Sequence, residues 1–283
     1  MRVLRTIPEV RAAVREARTA GRSVGLVPTM GAFHEGHLSL MRAARREHDL
    51  VVVSLFVNPT QFAVTEDLGA YPRTEARDLE LADSAGADVV FVPTADEMYP
   101  RGFATSIHID GITEVLCGAS RGASHFDGVA TIVAKLFQIV APDAAYFGQK
   151  DAQQVLVVRR LVLDLDMPVR IVACPIVREP DGLAMSSRNA YLDPESRQRA
   201  AALSRALDAA ERAVAAGRTE ASDVLAAARR VLDEAGIDPE YLELRSPDDL
   251  AELTEVSGPS LLAVAAQVGP ARLIDNRTLG EGR

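Results

Sequence analysis

Ser23-Val24-Gly25-Leu26-Val27-Pro28 runs directly into Thr29-Met30-Gly31-Ala32-Phe33-His34-Glu35-Gly36-His37, and then into Leu38, Leu40, Met41 and Ala44. A short continuous apolar run is the signature of a buried parallel strand. The apolar residues after it recur at helical spacing. Between the two the chain must turn sharply, and Gly31 and Gly36 give it the freedom to do so. A strand that turns into a helix start places main-chain N–H groups where an anion could sit. His34 and His37 are three apart, so on a first helical turn both point to one side. Two readings stay open at this point: polar residues that cap a helix, or imidazoles that face a phosphate.

Outward from that stretch the pattern repeats. An amphipathic helix over 8–20 precedes it, with Val10, Ala13, Val14 and Ala17 on one face. A strand over 23–28 leads to a helix over 35–47, a strand over 50–57, a helix over 73–86 and a strand over 88–92. Strand–helix alternation of this kind predicts a doubly wound parallel sheet. Glycines at 111, 118 and 122 break up the segment 93–124, which reads as an insertion near the site with one short strand over 105–109. The alternation resumes with a helix over 125–140, a strand over 144–147, a helix over 151–163 and a strand over 169–173. The character then changes. Alanine-rich helices over 195–217 and 220–235 precede a strand over 241–245 and a hairpin, 260–268 and 271–276, around Gly269-Pro270. The expectation is an α/β N-terminal domain, 1–175, and a smaller α+β C-terminal domain, 176–283.

Composition excludes several classes. With 283 residues, 48% hydrophobic and 25% charged, the chain can bury a large core and is not disordered. A net charge of −9 argues against a nucleic-acid partner. Cys117 and Cys174 form no CxxC, which suggests neither a zinc site nor a disulfide framework. No signal-peptide core and no apolar run of membrane-spanning length is present, so no membrane partner and a cytoplasmic location are expected.

Further clusters follow the strands at their carboxyl ends, the ligand side of doubly wound sheets. Asn58-Pro59-Thr60-Gln61-Phe62 offers amides that can grip hydroxyls and carboxylates without adding charge, or is a plain turn. Tyr146-Phe147-Gly148-Gln149-Lys150-Asp151-Ala152-Gln153-Gln154 combines a close backbone approach at Gly148 with a point charge at Lys150. Asp151 reads either as an N-cap or as a partner for ribose hydroxyls. In Asp181-Gly182-Leu183-Ala184-Met185-Ser186-Ser187-Arg188-Asn189, hydroxyls and a guanidinium could clamp a triphosphate, or form a surface turn. Arg121 to His125 adds positive charge near a helix start. Asp67, Asp78 and Asp181 are candidate magnesium ligands, Asp78 the one retained; ATP-bound Mg²⁺ takes few protein ligands and keeps its waters. No P-loop and no Ser–His–Asp triad is found.

Together, the HxGH core of residues 28–37, Asn58-Pro59-x-Gln61-Phe62, Tyr71-Pro72-Arg73, Phe147-Gly148-x-Lys150-Asp151-x-Gln153-Gln154 and Asp181 to Asn189 resemble the pantoate–β-alanine ligase family. The resemblance is collinear over nearly the whole chain. The HxGH element is shared with a wider nucleotidylyltransferase superfamily, and the later clusters make the match specific. The resemblance implies a Rossmann-like N-terminal domain, a C-terminal lid closing over the site, Mg²⁺ and a homodimer. It implies that pantoate attacks the α-phosphorus of ATP to give pantoyl adenylate and pyrophosphate, after which β-alanine displaces AMP. Met30, His34, His37, Gly148, Lys150, Asp151, Val177, Ser186, Ser187 and Arg188 would line the ATP site. Gln61 and Gln154 would hold pantoate, with Asn58 nearby.

Of these, His34, His37, Lys150 and Arg188 would oppose the charge that develops as pyrophosphate leaves. The chain departs from the family where Arg-Pro-Gly-His-Phe becomes Arg121-Gly122-Ala123-Ser124-His125-Phe126, and where Arg77 stands in place of an acidic residue beside Asp78. Two alternatives remain: another HxGH nucleotidylyltransferase with a different acceptor, and a non-catalytic ATP-binding module of the same fold. The glutamine pair argues against the first, and the full set of phosphate-facing residues against the second.

Overall fold

The structure, a computed structural model, describes residues 1–62, 68–69 and 71–280. Asp67 therefore lies outside the described residues. The elements run β1 (Arg2–Leu4), α1 (Ile7–Thr19), β2 (Val24–Thr29), α2 (Glu35–Glu47), β3 (Leu50–Leu55), α3 (Glu75–Ser84), β4 (Val89–Phe91), α4 (Ala95–Met98), α5 (Cys117–Arg121) and α6 (Ala123–Val140). They continue β5 (Ala144–Gly148), α7 (Ala152–Asp164), β6 (Arg170–Cys174), α8 (Pro194–Ala200), α9 (Ala202–Ala215), α10 (Ala221–Glu234), β7 (Pro239–Arg245), β8 (Ser260–Val268) and β9 (Ala271–Leu279). Short 3₁₀ turns occupy Pro59–Gln61, Gln149–Asp151 and Ser187–Tyr191.

The chain divides into two compact units. One comprises Met1–Glu114, Gly118–Gln149 and Gln153–Pro175; the other comprises Val115–Cys117, Lys150–Ala152 and Ile176–Arg283. In the first, the expected doubly wound sheet is present, parallel throughout, in the order β1-β4-β3-β2-β5-β6. Strands β2, β3 and β5 are made almost wholly of buried residues, as a sheet covered on both faces requires. The strand order reverses between β2, which is followed by β3 on one side, and β5 on the other. The crevice outside the carboxyl ends of the strands at such a reversal is where these folds bind ligands. On one face, Leu38, Met41 and Ala44 of α2 pack with Val27, Val51, Val53, Val90 and Tyr146.

The second unit contains an antiparallel sheet, β7-β8-β9, with β8 central and buried along almost its whole length. Leu203, Leu207 and Val214 of α9 and Val224, Ala228 and Leu232 of α10 share a core with Leu262, Val264 and Ala266 of β8. This is the expected α+β arrangement.

Some expectations need correction. Residues 105–109 form no strand; the Ile107 N–H is given instead to Thr131 Oγ1 on α6 at 2.9 Å. The helix expected over 195–217 is two, α8 and α9, interrupted at Ala201. Asp193 caps α8 by accepting from Ser196 N at 2.7 Å, with Pro194 in the first turn, the favoured N-terminal arrangement. Strand β1 was not expected: three residues are too few to show a pattern, and it forms by pairing with β4. Among the described residues, no helix is long and apolar enough to cross a membrane.

Candidate functional site

After β2 the chain turns through Gly31 and Ala32, both with positive φ (91° and 53°). The turn is held from α3. The buried Asp78 carboxylate accepts the Ala32 N–H at 2.9 Å, the Phe33 N–H at 2.7 Å and the Thr74 hydroxyl at 3.0 Å. Glycine suits the positive φ of Gly31, and a Cβ there would stand 3.1 Å from Asp78 Oδ2, a tight contact.

His34 is the N-cap of α2. Its Nδ1 accepts from Gly36 N at 3.2 Å, while His37 Nδ1 accepts from His34 N at 3.3 Å. The two rings lie 4.2 Å apart between centroids. A nitrogen that accepts from a main-chain N–H carries no proton, so each imidazole is neutral with its proton on Nε2. The capping reading is the one these contacts show: both rings serve the helix start through Nδ1. Several of the turn's amides, expected to face an anion, have partners within the protein. Those of Ala32, Phe33, His34, Gly36 and His37 are all bonded within the chain. The histidines offer hydrogen bonds here, not the opposing charge expected of them.

After β3, Pro59–Gln61 packs on α6. A Cβ on Gly128 would stand 2.5 Å from the Thr60 carbonyl oxygen and 2.7 Å from Gln61 N, so only glycine permits this approach. Buried Asn58 donates from Nδ2 to Gln61 Oε1 and to the Gly128 carbonyl, both at 3.1 Å. Its Oδ1 accepts from the hydroxyls of Thr60 (2.9 Å) and Tyr99 (2.7 Å). Burial pushes the Tyr99 phenol above its usual range, against a smaller opposing effect of Thr60, and keeps it protonated as a donor. Gln61 Nε2 reaches Met30 Sδ at 3.1 Å, so the elements after β2 and β3 meet there.

Buried His125 supports the same turn from α6. Its Nδ1 lies 2.7 Å from the Gln61 carbonyl and its Nε2 lies 3.0 Å from an Arg121 guanidinium nitrogen. A carbonyl only accepts and a guanidinium only donates, which makes this ring neutral with its proton on Nδ1. Arg121, expected to supply positive charge, orients His125. Gly148 ends β5, and Gln154 is half-buried on α7. Gln153 is buried and donates to the Ile112 carbonyl at 2.8 Å.

In the second unit, the Lys150 carbonyl accepts from Asn276 Nδ2 of β9 at 2.9 Å. Asp151 lies beside it in the 3₁₀ turn with its side chain exposed. Val177 and Met185 are paired through Met185 N and the Val177 carbonyl. Arg178 ties this loop down, forming a two-point ion pair with the buried Asp275 (2.6 and 3.0 Å) and donating to the Gly182 carbonyl at 3.0 Å. Asp181, a candidate magnesium ligand, is instead paired with Arg197, whose hydrogen bonds hold its carboxyl below the usual range. Ser186 caps the turn Ser187–Tyr191 by accepting from Arg188 N at 3.3 Å. Ser186, Ser187 and Arg188 are half-buried together.

The magnesium assignment at Asp78 is corrected: its carboxylate serves the Ala32 and Phe33 amides. Among the described residues, no group of three His, Cys, Asp or Glu side chains could hold a metal. Sequence reasoning missed Tyr99, Gly128, Asp275 and Asn276. Only Gly128, a glycine within an apolar helical pattern, carried a local signal of close approach.

The family model described as "Pantoate-beta-alanine ligase" matches residues 2–278. The pantothenate synthetase of Pelotomaculum thermopropionicum is 52% identical, covering 99% of this chain and 100% of that one. The pantothenate synthetase of Acidobacterium capsulatum is 54% identical over 99% and 98%. The crystal structure of pantothenate synthetase from Thermus thermophilus superposes with a TM-score of 0.94 at 46% identity, covering 99% and 100%. That of pantoate-beta-alanine ligase from Francisella tularensis, complexed with beta-gamma ATP and beta-alanine, does so with a TM-score of 0.81 at 32% identity, covering 98% and 97%. On this agreement of sequence and fold, the chain belongs to the pantoate–β-alanine ligase family.

Proposed function

We propose that this enzyme joins pantoate to β-alanine at the expense of ATP, through an enzyme-bound pantoyl adenylate, releasing pyrophosphate and AMP. The observation that carries this reading is the meeting of Gln61 with Met30 at 3.1 Å. This contact supports the reading because, with Gln61 holding the acceptor acid and Met30 beside the nucleotide, the two substrates would be neighbours, as in-line attack of a carboxylate on the α-phosphorus needs. Holding two substrates in that geometry is the larger part of catalysis, and no protein nucleophile is called for.

In this reading Met30, His34, His37 and Gly148, with Lys150, Asp151, Val177, Ser186, Ser187 and Arg188, bind ATP. Gln61 and Gln154 bind pantoate, with Asn58 behind Gln61. His34 and His37 donate from Nε2 to phosphate oxygens, and Lys150 and Arg188 supply the cations that oppose negative charge as pyrophosphate departs. Mg²⁺ enters as part of the ATP complex and keeps its waters, as ATP-bound Mg²⁺ does with few protein ligands; this fits the described residues, among which no group of three His, Cys, Asp or Glu side chains could hold it. Domains 1–175 and 176–283, the second acting as a lid, and a homodimer belong to the same reading.

ATP–pyrophosphate exchange tests it. Exchange should require pantoate, and adding β-alanine should convert ATP to AMP with formation of pantothenate. Exchange without pantoate, or only with an unrelated acceptor, would exclude the proposal.

A further inference from the structure

The hydrogen bonds of the turn Pro59–Gln61 have a defined polarity. Asn58 Oδ1 lies 3.4 Å from Thr60 N, which can only donate. Asn58 Nδ2 lies 3.1 Å from the Gly128 carbonyl, which can only accept. These two contacts select one of the two amide orientations of Asn58. The remaining Nδ2 hydrogen goes to Gln61 Oε1 at 3.1 Å, and this turns Gln61 Nε2 away from Asn58, toward Met30.

Tyr99 reinforces that orientation. Its hydroxyl makes the shortest contact to Asn58 Oδ1, 2.7 Å, across 41 residues of sequence. The ring itself is held firmly: Phe103 meets it edge-on at 5.0 Å, Phe56 lies 6.2 Å away, and Lys135 Nζ stands 5.9 Å from its centre. These contacts hold the ring and so place the hydroxyl oxygen against Asn58 Oδ1.

We infer that Tyr99 is a positioning residue for the acceptor acid: acting through Asn58, it holds Gln61 with its NH₂ facing the bound substrate, so that this wall of the pocket donates and selects a carboxylate or hydroxyl oxygen. The inference rests on the reading of Gln61 as a pantoate ligand. Without the Tyr99 hydroxyl, Asn58 Oδ1 loses its shortest hydrogen bond and the amide pair is freer to invert. An inverted Gln61 would set an oxygen against the oxygens of the acid. The effect therefore falls on pantoate and not on ATP.

Tyr99→Phe keeps the ring and removes only the hydroxyl. In pyrophosphate exchange it should raise KM for pantoate about 3- to 10-fold, the worth of one hydrogen bond, and leave KM for ATP unchanged. Gln61→Ala should raise KM for pantoate further, and adding Tyr99→Phe to it should have no additional effect, as expected of two residues that act in series. An unchanged pantoate KM in Tyr99→Phe, additive effects in the double variant, or equal losses toward both substrates would overturn the inference. If Gln61→Ala itself leaves pantoate KM unchanged, the ligand reading of Gln61 fails, and the inference with it. A KM effect of Gln61→Ala without one of Tyr99→Phe removes Tyr99 alone.

Discussion

His37 Nδ1 accepts the main-chain N–H of His34 while the two rings lie 4.2 Å apart, which commits both imidazoles to one tautomer. ¹⁵N spectra of the imidazoles at neutral pH should show unprotonated Nδ1 and protonated Nε2 for both residues. His37→Ala should lower kcat about 10²–10³-fold, the scale for losing one group that stabilises developing charge, with the circular dichroism spectrum unchanged. Lys150→Ala should fall in the same range. Wild-type turnover in either variant would remove that residue from the mechanism.

Asp78→Asn tests the hold on the turn. An amide there can accept one of the Ala32 and Phe33 N–H groups but must point its own NH₂ at the other. The cost of one unsatisfied buried donor is about 1–3 kcal/mol, visible as a lower midpoint in urea unfolding. Activity should fall, while the Mg²⁺ concentration that gives half-maximal rate should not move. A large shift in Mg²⁺ dependence would restore Asp78 as a metal ligand.

Gly128→Ala places a methyl group against main-chain atoms, not against a movable side chain. The turn Pro59–Gln61 must shift, at about 1–3 kcal/mol for overpacking. Stability should fall, and KM for pantoate should rise more than KM for ATP. Equal KM changes would mean that the displacement does not stay within the turn Pro59–Gln61.

His48 predicts an acid limb of stability. Its ring is buried against Gly25 and edge-on to Tyr146, with neither nitrogen hydrogen-bonded. Burial holds its imidazolium below the usual range, against the pull of Asp143, Glu47 and Asp49; Arg170 lowers it further. A depressed value in the folded state means that the unfolded chain takes up the proton first as pH falls. Stability is then complete above roughly pH 6.5 and is lost below it. His48→Phe should flatten the dependence of melting temperature on pH between about 7 and 5; an unaltered slope would assign the acid limb to other groups.

Strands β2, β3 and β5 were legible because a buried parallel strand leaves a continuous apolar run, and α2 because its apolar residues recur at helical spacing. The clusters of the site were legible because they follow those strands. What lay beyond reach was long-range pairing. Asp78 bonds Phe33 across 45 positions, so its carboxylate looked available for a metal when it was already in use. Tyr99 carries no local mark of its contact with Asn58. The polarity of the histidines depends on which nitrogen faces the backbone, which spacing alone does not reveal. Residues 105–109 have strand-like composition but donate to a helix side chain, a choice made by tertiary structure.

The carboxylate that Asp78 lends to the turn is also an internal occupant of the place an inorganic anion would take. Loops that cradle phosphate by main-chain amides alone admit any small oxyanion of the right size. Here the Ala32 and Phe33 amides are filled from within, which closes those two donors to an anion. Orthophosphate and sulfate, which an open amide cradle would hold, should therefore compete weakly with ATP.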